Sequence, residues 1–372
     1  QDPVTELSGF FIQEEDEDQD ADAQTSEGIF INDDGFGEDV AEGQVVRVAG
    51  TVNERNGLTE LKGIRMVLTC DPYVAAPTVL DMPAPDSLEP VEGMLVTIPE
   101  DMTASQNYFQ GRYGQVTMSS DGRLFKETNT FLPLSPEAIA MAEENLRRMV
   151  VLDDGMDVNE YGDNPYPIPY IGEQDTLRAG DIVAGLTGVI DEGLITSPTN
   201  PLYGVELQPT GDVVFARVNE RTAAPEEVGG TLLVAGFNVL NYFTTLDEGP
   251  WICGPGEHQQ CRGADSPEEF TRQRDKIIPA IEAIDADIVG LVELENNITD
   301  DPIADLVSGL NDAMGAGTYD YVATGAIGED AIRVGLIYKP ETVTPHEDFA
   351  ILDSSVNPAF NSDYNRPVLA QT

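Results

Sequence analysis

The hydrophobic pattern of this chain changes near Thr231, and that change constrains the fold more than any other feature of the sequence. Before it, short alternating apolar runs recur between Gly, Pro, Asn and Asp residues, which is typical of strands in a barrel or sandwich. After it, continuous apolar runs alternate with segments of helical period, which is typical of α/β packing. The 372 residues accommodate both parts, since a typical domain takes about 150.

The first part predicts an all-β domain over residues 1–222. One helix interrupts it, because Ser135 caps a segment of helical period that ends before Val150. Segments 43–52 and 180–190 resemble each other, which either a duplicated barrel strand or independent convergence explains. The candidate strands are 9–13, 28–33, 43–52, 93–98, 114–120, 180–190 and 203–210.

The second part predicts an α/β domain over residues 231–372. An acidic segment rich in Ala and Pro, 220–230, separates the two patterns, and we assign 223–230 as the linker. The candidate strands are 232–240, 287–295, 319–324 and 331–338, and the candidate helices are 268–284 and 302–314.

The chain is strongly acidic, with 68 Asp and Glu against 19 Lys and Arg and a formal charge of −49. Such a surface suits a halophilic protein, because high salt screens self-repulsion, although an ordinary acidic secreted protein is the alternative. The overall field repels a polyanion. Binding of nucleic acid would therefore need local basic groups, bound cations or screening by salt.

Three cysteines indicate the compartment. Cys253 and Cys261 lie on one short Gly- and Pro-containing stretch, so we expect a disulfide between them, with two unrelated thiols as the alternative. Cys70 is left over, and we expect it to be a small buried apolar residue. A disulfide favours a secreted, extracellular protein. The start at Gln1 without Met indicates a processed terminus, and no apolar run is long enough to span a membrane.

Two polar residues end neighbouring predicted strands of the α/β part. Asn238 lies near the end of the first strand and Glu293 near the end of the next. If the strands are adjacent, an amide oxygen and a carboxylate meet at one edge, where Mg²⁺ finds the oxygen ligands it prefers. The alternative is a turn-forming Asn beside a solvated Glu.

Five segments of the second part, 237–245, 261–277, 285–297, 332–340 and 364–372, resemble the secreted bacterial endonucleases of the endonuclease/exonuclease/phosphatase superfamily, relatives of pancreatic-type deoxyribonucleases. The β-rich part resembles the OB-fold-like domain that precedes the catalytic domain in these nucleases, in LSGFFIQEED, SEGIFIND, NYFQGRYGQV and LRRMVVLDDG. The resemblance implies an OB-like barrel domain, in one or two barrel-like halves, followed by the first half of a four-layer αββα sandwich.

The resemblance also implies roles. Asn238 matches the amide that orients substrate or metal-bound water, Glu293 the ligand of Mg²⁺ or Mn²⁺, and Arg366 a substrate-phosphate contact, for which a surface ion pair is the alternative. We therefore expect an extracellular, metal-dependent nuclease that hydrolyses DNA with little sequence specificity. The alternatives are a phosphatase or phospholipid phosphodiesterase of the same superfamily, or a non-catalytic module that binds nucleic acid.

The chain departs from the family pattern after residue 366. The family's strand-borne His, Asp-x-Asn pair and terminal Asp-His have no match before Thr372. His258 and His346 match no catalytic motif, and we expect both at the surface. The rest of the catalytic domain is therefore expected as a continuation or a second chain, without catalysis by these 372 residues alone.

Two further segments have the composition of binding sites. Tyr108, Phe109, Arg112 and Tyr113 interleave aromatic rings with a cation, as a base-stacking platform on a barrel does, although barrel core explains them equally. Residues 14–22 concentrate acids that would suit Ca²⁺ but lack the glycine and closing Glu of an EF-hand loop, so a solvated loop is the alternative.

Overall fold

The structure is a computed structural model that describes residues 7–372 except 21, 23, 34, 37–38, 86, 157–167, 172–175, 196–201, 223–225, 227 and 363. The chain divides into two compact units, Gln1–Arg221 and Thr222–Thr372. Residues 223–225 and 227 of the expected linker lie outside the described residues. Strands predominate over helices. Within the described ranges, every helix is too short or too polar to cross a membrane.

The first unit begins with a four-stranded sheet in the order β1-β2-β4-β3. β2 and β4 run parallel, and the other neighbours run antiparallel. The strands predicted over 9–13, 28–33 and 43–52 are confirmed here. The strands are β1 (Gly9–Gln13), β2 (Gly28–Asn32), β3 (Gln44–Arg55) and β4 (Leu58–Pro72).

Cys70 corrects one prediction, because it is exposed and unpaired rather than buried. It lies near the end of the 15-residue strand β4. Only residues 60 and 61 of β4 pair with β2, whereas its last third pairs with β3 alone. A two-stranded arm has no sheet behind it to bury a small apolar side chain. The apolar character of Cys70 therefore did not decide its burial.

A closed five-stranded barrel forms the rest of the first unit, because β6 pairs with both β7 and β9. The order around it is β6-β7-β8-β10-β9, with β8 and β10 parallel and the other neighbours antiparallel. The segment 43–52 lies in β3, outside this barrel, so the two similar segments occupy different sheets. The strands are β5 (Thr78–Val79), β6 (Leu95–Gln106), β7 (Val116–Ser119), β8 (Met149–Leu152), β9 (Ile182–Leu194) and β10 (Tyr203–Pro209).

The helices of the first unit are α1 (Gln110–Tyr113) and α2 (Pro136–Arg147), with 3₁₀ turns at Glu89–Val91 and Glu127–Asn129. The predicted start of α2 is confirmed, since Ser135 Oγ accepts a hydrogen bond from Ala138 N–H at 3.2 Å. Ile139 and Leu146 are exposed. The helical period in this segment therefore marks a helix but not a buried face.

The second unit contains a four-stranded sheet in the order β11-β12-β14-β13 and a separate antiparallel pair, β15 and β16. Helices α3 and α4 pack on one face of the larger sheet and bury its core with it. On the opposite face Val234, Leu240 and Val292 remain exposed. The elements are β11 (Val234–Tyr242), α3 (Pro267–Ile284), β12 (Ile288–Glu295), α4 (Asp301–Met314), β13 (Asp320–Tyr321), β14 (Ile332–Tyr338), β15 (Ala350–Leu352) and β16 (Val368–Ala370).

Three acidic side chains are buried together in the barrel unit. Glu206 pairs in register with Asp191 across β10 and β9, and Gln115 Nε2 donates to Glu206 at 2.7 Å. Burial raises the pKa of Asp191 to about 7, and it also raises the pKa values of Asp153 and Glu206. Among the described residues, the groups that shift these pKa values include no lysine or arginine. The folded state therefore holds protons that the unfolded chain releases.

We expect this cluster to make the first unit less stable as pH rises. The folded pKa of Asp191 lies above its ordinary value of 3.8, so the folded state binds more protons from about pH 4 to about pH 7 and loses stability across that window. Asp191→Asn removes the titration. From about pH 5 to about pH 8, the unfolding free energy of the variant should rise relative to wild type by on the order of 2 kcal/mol, since one pKa unit is about 1.4 kcal/mol.

Urea denaturation at both pH values measures this difference. The exposed Glu137 on α2 provides the control, because Glu137→Gln should follow wild type at both pH values. An Asp191→Asn variant with the same pH dependence as wild type would show that Asp191 is ionised in the folded protein.

Candidate functional site

The strands that carry Asn238 and Glu293 are neighbours and run parallel. Their register runs from Val234 opposite Ile288 to Asn238 opposite Val292. Asn238 therefore lies beside Val292, the residue before Glu293. Strand geometry places the Cα atoms of Asn238 and Glu293 roughly 6 Å apart. The structure brings both residues to one level of the sheet.

The β11–β12 pair bulges immediately beyond this level. Regular pairing resumes at Tyr242 opposite Leu294, so three residues of β11 face one residue of β12. The φ angle is +53° at Leu240, +50° at Asn241 and +68° at Glu293. Left-handed backbone costs a non-glycine residue about 1–2 kcal/mol, and bulges and strain of this kind cluster at functional sites.

The bulge places Glu293 off the hydrophobic core. Leu291 and Leu294 both belong to the core that α3 and α4 cover, so the two residues between them break the normal alternation. The pairing of β12 with β14 loses register at the same place. Val292 is exposed and Glu293 is half-buried. Among the described residues, no side-chain hydrogen bond or ion pair engages the Glu293 carboxylate.

The exposed side chain of Asn238 stabilises the bulge. Its Oδ1 accepts a hydrogen bond from Leu240 N–H at 2.7 Å. Within the described part of the chain, its Nδ2 has no acceptor. The group that Asn238 offers to a ligand is therefore a hydrogen-bond donor, which suits a phosphate oxygen better than a metal ion.

Two glycines leave the sheet bare beside Asn238. Gly236 and Gly290 are paired in register two residues before Asn238 and Val292, so they share their face. A Cβ added at Gly236 would meet no atom within 4 Å. A glycine inside a strand often marks a place where a ligand or another backbone comes close. The strand backbone is therefore accessible next to the bulge.

The donor set near the bulge suits a weakly held Mg²⁺ or Mn²⁺ rather than a protein-enclosed ion. Among the described residues, no group of three or more His, Cys, Asp or Glu side chains is arranged to hold a metal. Mg²⁺ commonly uses one or two carboxylates and completes its shell with water and substrate phosphates. Glu293 fits that pattern as a single carboxylate.

The chain beyond the bulge is fixed by hydrogen bonds from two buried side chains. Glu295 accepts from Thr244 N–H at 2.8 Å and from Thr245 N–H at 3.1 Å, which ties the ends of β12 and β11 together. Asn296 donates from Nδ2 to the carbonyls of Ile327 and Asp330. Residues 293–296 therefore stand on a rigid edge of the sheet.

The predicted disulfide between Cys253 and Cys261 is confirmed. Both cysteines are buried against Phe243, Ala331 and Ile332 in a small core of their own. Trp251 and Ile252, directly before the loop, are exposed. The disulfide therefore anchors a surface loop to the edge that carries Glu295.

Arg366 lies in an ion-pair cluster that includes Arg262, the residue directly after the disulfide loop. Its Nε donates to Asp330 Oδ2 at 2.8 Å, and Arg262 Nη2 lies 3.1 Å from Asp330 Oδ1. Arg366 therefore makes an ion pair with Asp330, as the alternative to a phosphate contact had it. Both arginine side chains are nearly half exposed.

The barrel unit brings Tyr108, Phe109, Arg112 and Tyr113 together. They lie in α1 and the residues just before it, between the first and second barrel strands. The Tyr108 and Phe109 rings are 5.0 Å apart, the Phe109 and Tyr113 rings 5.8 Å, and the Arg112 guanidinium lies 5.5 Å from the Tyr113 ring centre. Tyr108 is 78% exposed, so one ring of this cluster is open to a ligand.

The acidic segment 14–22 forms turns. Asp20 accepts from Asp22 N–H, Asp22 from Gln24 N–H, and Asp16 from Ala76 N–H. Residue 21 lies outside the described residues. These carboxylates cap backbone groups, as a solvated acidic loop does. His258 and His346 are both exposed.

Comparisons of this chain with models of known families, with curated proteins and with solved structures find no match.

Two ion pairs near the edge that carries Glu295 were not predicted from the sequence, Arg262 with Asp330 and Arg333 with Asp300. Arg262 and Asp330 carried no recognisable pattern, although the order Cys-Arg-Gly around Arg262 suggests a side chain held between two fixed neighbours. Arg333 is almost completely buried and pairs with Asp300 at 2.6 Å. It lies in an apolar strand, a pattern that predicts apolar core residues and does not indicate a buried ion pair.

We expect the disulfide to stabilise the second unit. Replacing Cys253 and Cys261 by Ala should lower its unfolding free energy by about 2–3 kcal/mol, the usual value for a short closed loop. Urea denaturation followed by the fluorescence of Trp251, the single tryptophan of the chain, measures the loss. Cys70→Ala serves as the control and should unfold like wild type, because Cys70 is exposed and unpaired. Equal stability of all three proteins would contradict a stabilising disulfide.

Proposed function

We propose that the second unit belongs to an extracellular, metal-dependent nuclease that hydrolyses DNA phosphodiester bonds with little sequence specificity. Glu293 holds Mg²⁺ or Mn²⁺, and Asn238 donates a hydrogen bond to a phosphate oxygen of the substrate. The observation that carries the proposal is the strained bulge, which puts a carboxylate that no described side chain engages at the same level of the sheet as the exposed amide of Asn238. The disulfide supports an extracellular location.

The residues at the bulge bind the divalent cation and orient the phosphate. These two tasks are most of the protein's contribution to phosphodiester hydrolysis. A bound divalent cation neutralises the charge that develops on the phosphate oxygens. Asn238 fixes one oxygen of the phosphate through Nδ2, while the bare backbone at Gly236 lets the substrate lie close to the strand.

We also propose that the barrel is an OB-fold and that the second unit is one half of an αββα sandwich. The barrel order first-second-third-fifth-fourth, with the third and fifth strands parallel, supports an OB-fold. For the second unit, one helical layer on a sheet with an open second face supports one half of an αββα sandwich. The second sheet and its helices would cover the open face, as a continuation or as a partner chain.

A second function is supported by the aromatic cluster of the barrel. The loop between the first two strands is one of the places where OB-folds bind oligonucleotides. Tyr108 presents an exposed ring there, with Arg112 nearby. We therefore propose that the barrel binds single-stranded nucleic acid by stacking, which a non-catalytic binding module would share.

Glu293→Gln tests the nuclease proposal. The variant should lose at least roughly tenfold in Mn²⁺ affinity, because an amide replaces the charged ligand, and the full-length protein should lose roughly a hundredfold or more in plasmid nicking. Mn²⁺ binding is read by electron paramagnetic resonance and nicking by gel electrophoresis. Parallel assays with a phosphomonoester and a phospholipid distinguish the other activities of the superfamily.

Glu282→Gln is the matched control, since Glu282 is an exposed acid on α3 in the same unit. It should keep wild-type Mn²⁺ affinity and nicking. Wild-type Mn²⁺ affinity in Glu293→Gln would contradict the assignment of Glu293 as the metal ligand.

Tyr108→Ala tests the barrel proposal. Loss of one stacked base should weaken binding of a short single-stranded DNA by about 1–3 kcal/mol, measured by fluorescence anisotropy. Phe36, another exposed aromatic residue of the first unit, provides the control through Phe36→Ala. If both variants bind like wild type, Tyr108 is not a stacking residue.

A further inference from the structure

Asp330 is held at a fixed place by side chains on both sides of it. The amide of Gln259 spans it, accepting from Ala331 N–H at 3.0 Å and donating to the carbonyl of Glu329. Asn296 Nδ2 donates to the Asp330 carbonyl itself at 2.8 Å. The backbone at Asp330 is therefore fixed to the disulfide loop and to the end of β12. Its carboxylate takes no part in these hydrogen bonds and can pair with cationic side chains.

Arg262 is held between two residues that cannot move outward. Cys261 before it is buried in the disulfide. Gly263 after it lies so close to Phe243 that an added Cβ would come within 2.4 Å of the Phe243 Cβ. A larger residue at position 263 would push the segment away from the core. The order Cys-Arg-Gly thus directs the one long side chain of the segment outward, where it meets Asp330.

The resulting cluster carries one surplus positive charge in a chain of formal charge −49. Asp330 neutralises one guanidinium and orients two, through Arg366 Nε and Arg262 Nη2. Among the described residues, no other acceptor engages the two side chains. Each arginine therefore retains N–H donors in a fixed orientation, which is the geometry that binds phosphate oxygens well.

We infer that Arg262, oriented by Asp330, joins Arg366, for which the resemblance already implies a phosphate contact, in a binding site for a backbone phosphate of DNA near the Glu293 bulge. The inference deepens the proposed function, on which it rests for the choice of DNA. Asn296, whose side chain holds Asp330, follows Glu293 by three residues, so the residue that fixes Asp330 lies within roughly 10 Å of Glu293 along the chain. The site would hold a phosphate next to the one at Glu293 and supplies a local attraction that the acidic chain otherwise lacks.

Binding of a short fluorescein-labelled DNA duplex, measured by anisotropy in EDTA over a series of salt concentrations, tests the site. Arg262→Gln and Arg366→Gln should each weaken binding roughly tenfold or more and lower the slope of log K against log salt by about 1. Arg262→Lys and Arg366→Lys should retain more affinity than the Gln variants, because the charge remains. Trp251, close to the loop, should change its fluorescence on titration with unlabelled duplex in wild type.

Arg272→Gln is the control, since Arg272 is an exposed arginine of α3 and loses the same charge. Affinity and salt slope like those of Arg272→Gln in both Gln variants would overturn the site. Inorganic phosphate is titrated separately, with Trp251 fluorescence as the signal. Binding of phosphate alone, with duplex affinity unaffected by either substitution, would overturn DNA as the ligand.

The two proposals fail separately. Glu293→Gln should keep wild-type duplex affinity in EDTA, whereas Arg262→Gln should keep wild-type Mn²⁺ affinity. Lost duplex binding in the arginine variants with unchanged nicking by Glu293→Gln would support the phosphate site and contradict the role of Glu293. The converse pattern would overturn the phosphate site alone.

Discussion

The hydrogen bond from Leu240 N–H to Asn238 Oδ1 stabilises a bulge on which the whole candidate site depends. Without the bulge, Glu293 would alternate onto the helical side of the sheet, where Leu291 and Leu294 are buried. The left-handed backbone at Leu240 and Asn241 on β11 and at Glu293 on β12 costs free energy, which the core beneath the sheet and the Glu295 hydrogen bonds offset. The strained backbone lies at the level of the sheet that carries the Asn238 amide and the Glu293 carboxylate, which no described side chain engages, and this is the physical reason to place a function there.

Charge gives the second constraint. A polyanionic substrate is repelled by a chain of charge −49, so any attraction must be local and fixed in place. The disulfide and the side chain of Gln259 fix the segments that carry Arg262 and Asp330, and a cation at Glu293 would add to the same edge. High salt would weaken both the repulsion of DNA by the acidic chain and its attraction to the arginines. Arginines placed close together on one edge suit such an acidic chain.

The sequence predicts many of the strands, the three long helices and the disulfide, because each depends on local period, capping or short spacing. It does not predict β4, the longest strand, or the barrel strand β8. It also predicts that Asn238 and Glu293 lie on neighbouring strands, although β11 continues four residues past Asn238, which was predicted near its end. It does not predict the bulge, since left-handed Leu240 and Glu293 contradict their own backbone preferences and follow from tertiary packing. The exposure of Cys70 and the burial of Arg333 could not be predicted from the sequence either, because each depends on which strand lies alongside.

The central claim is that the bulge displays Glu293 as the ligand of a divalent cation. Anomalous diffraction from crystals soaked in Mn²⁺ tests it most directly, because the signal locates the ion without an assumption about activity. The account predicts a peak in coordinating contact with the Glu293 carboxylate and beside the Asn238 amide. Mn²⁺ bound elsewhere in the second unit, with Glu293 left unliganded, would contradict it.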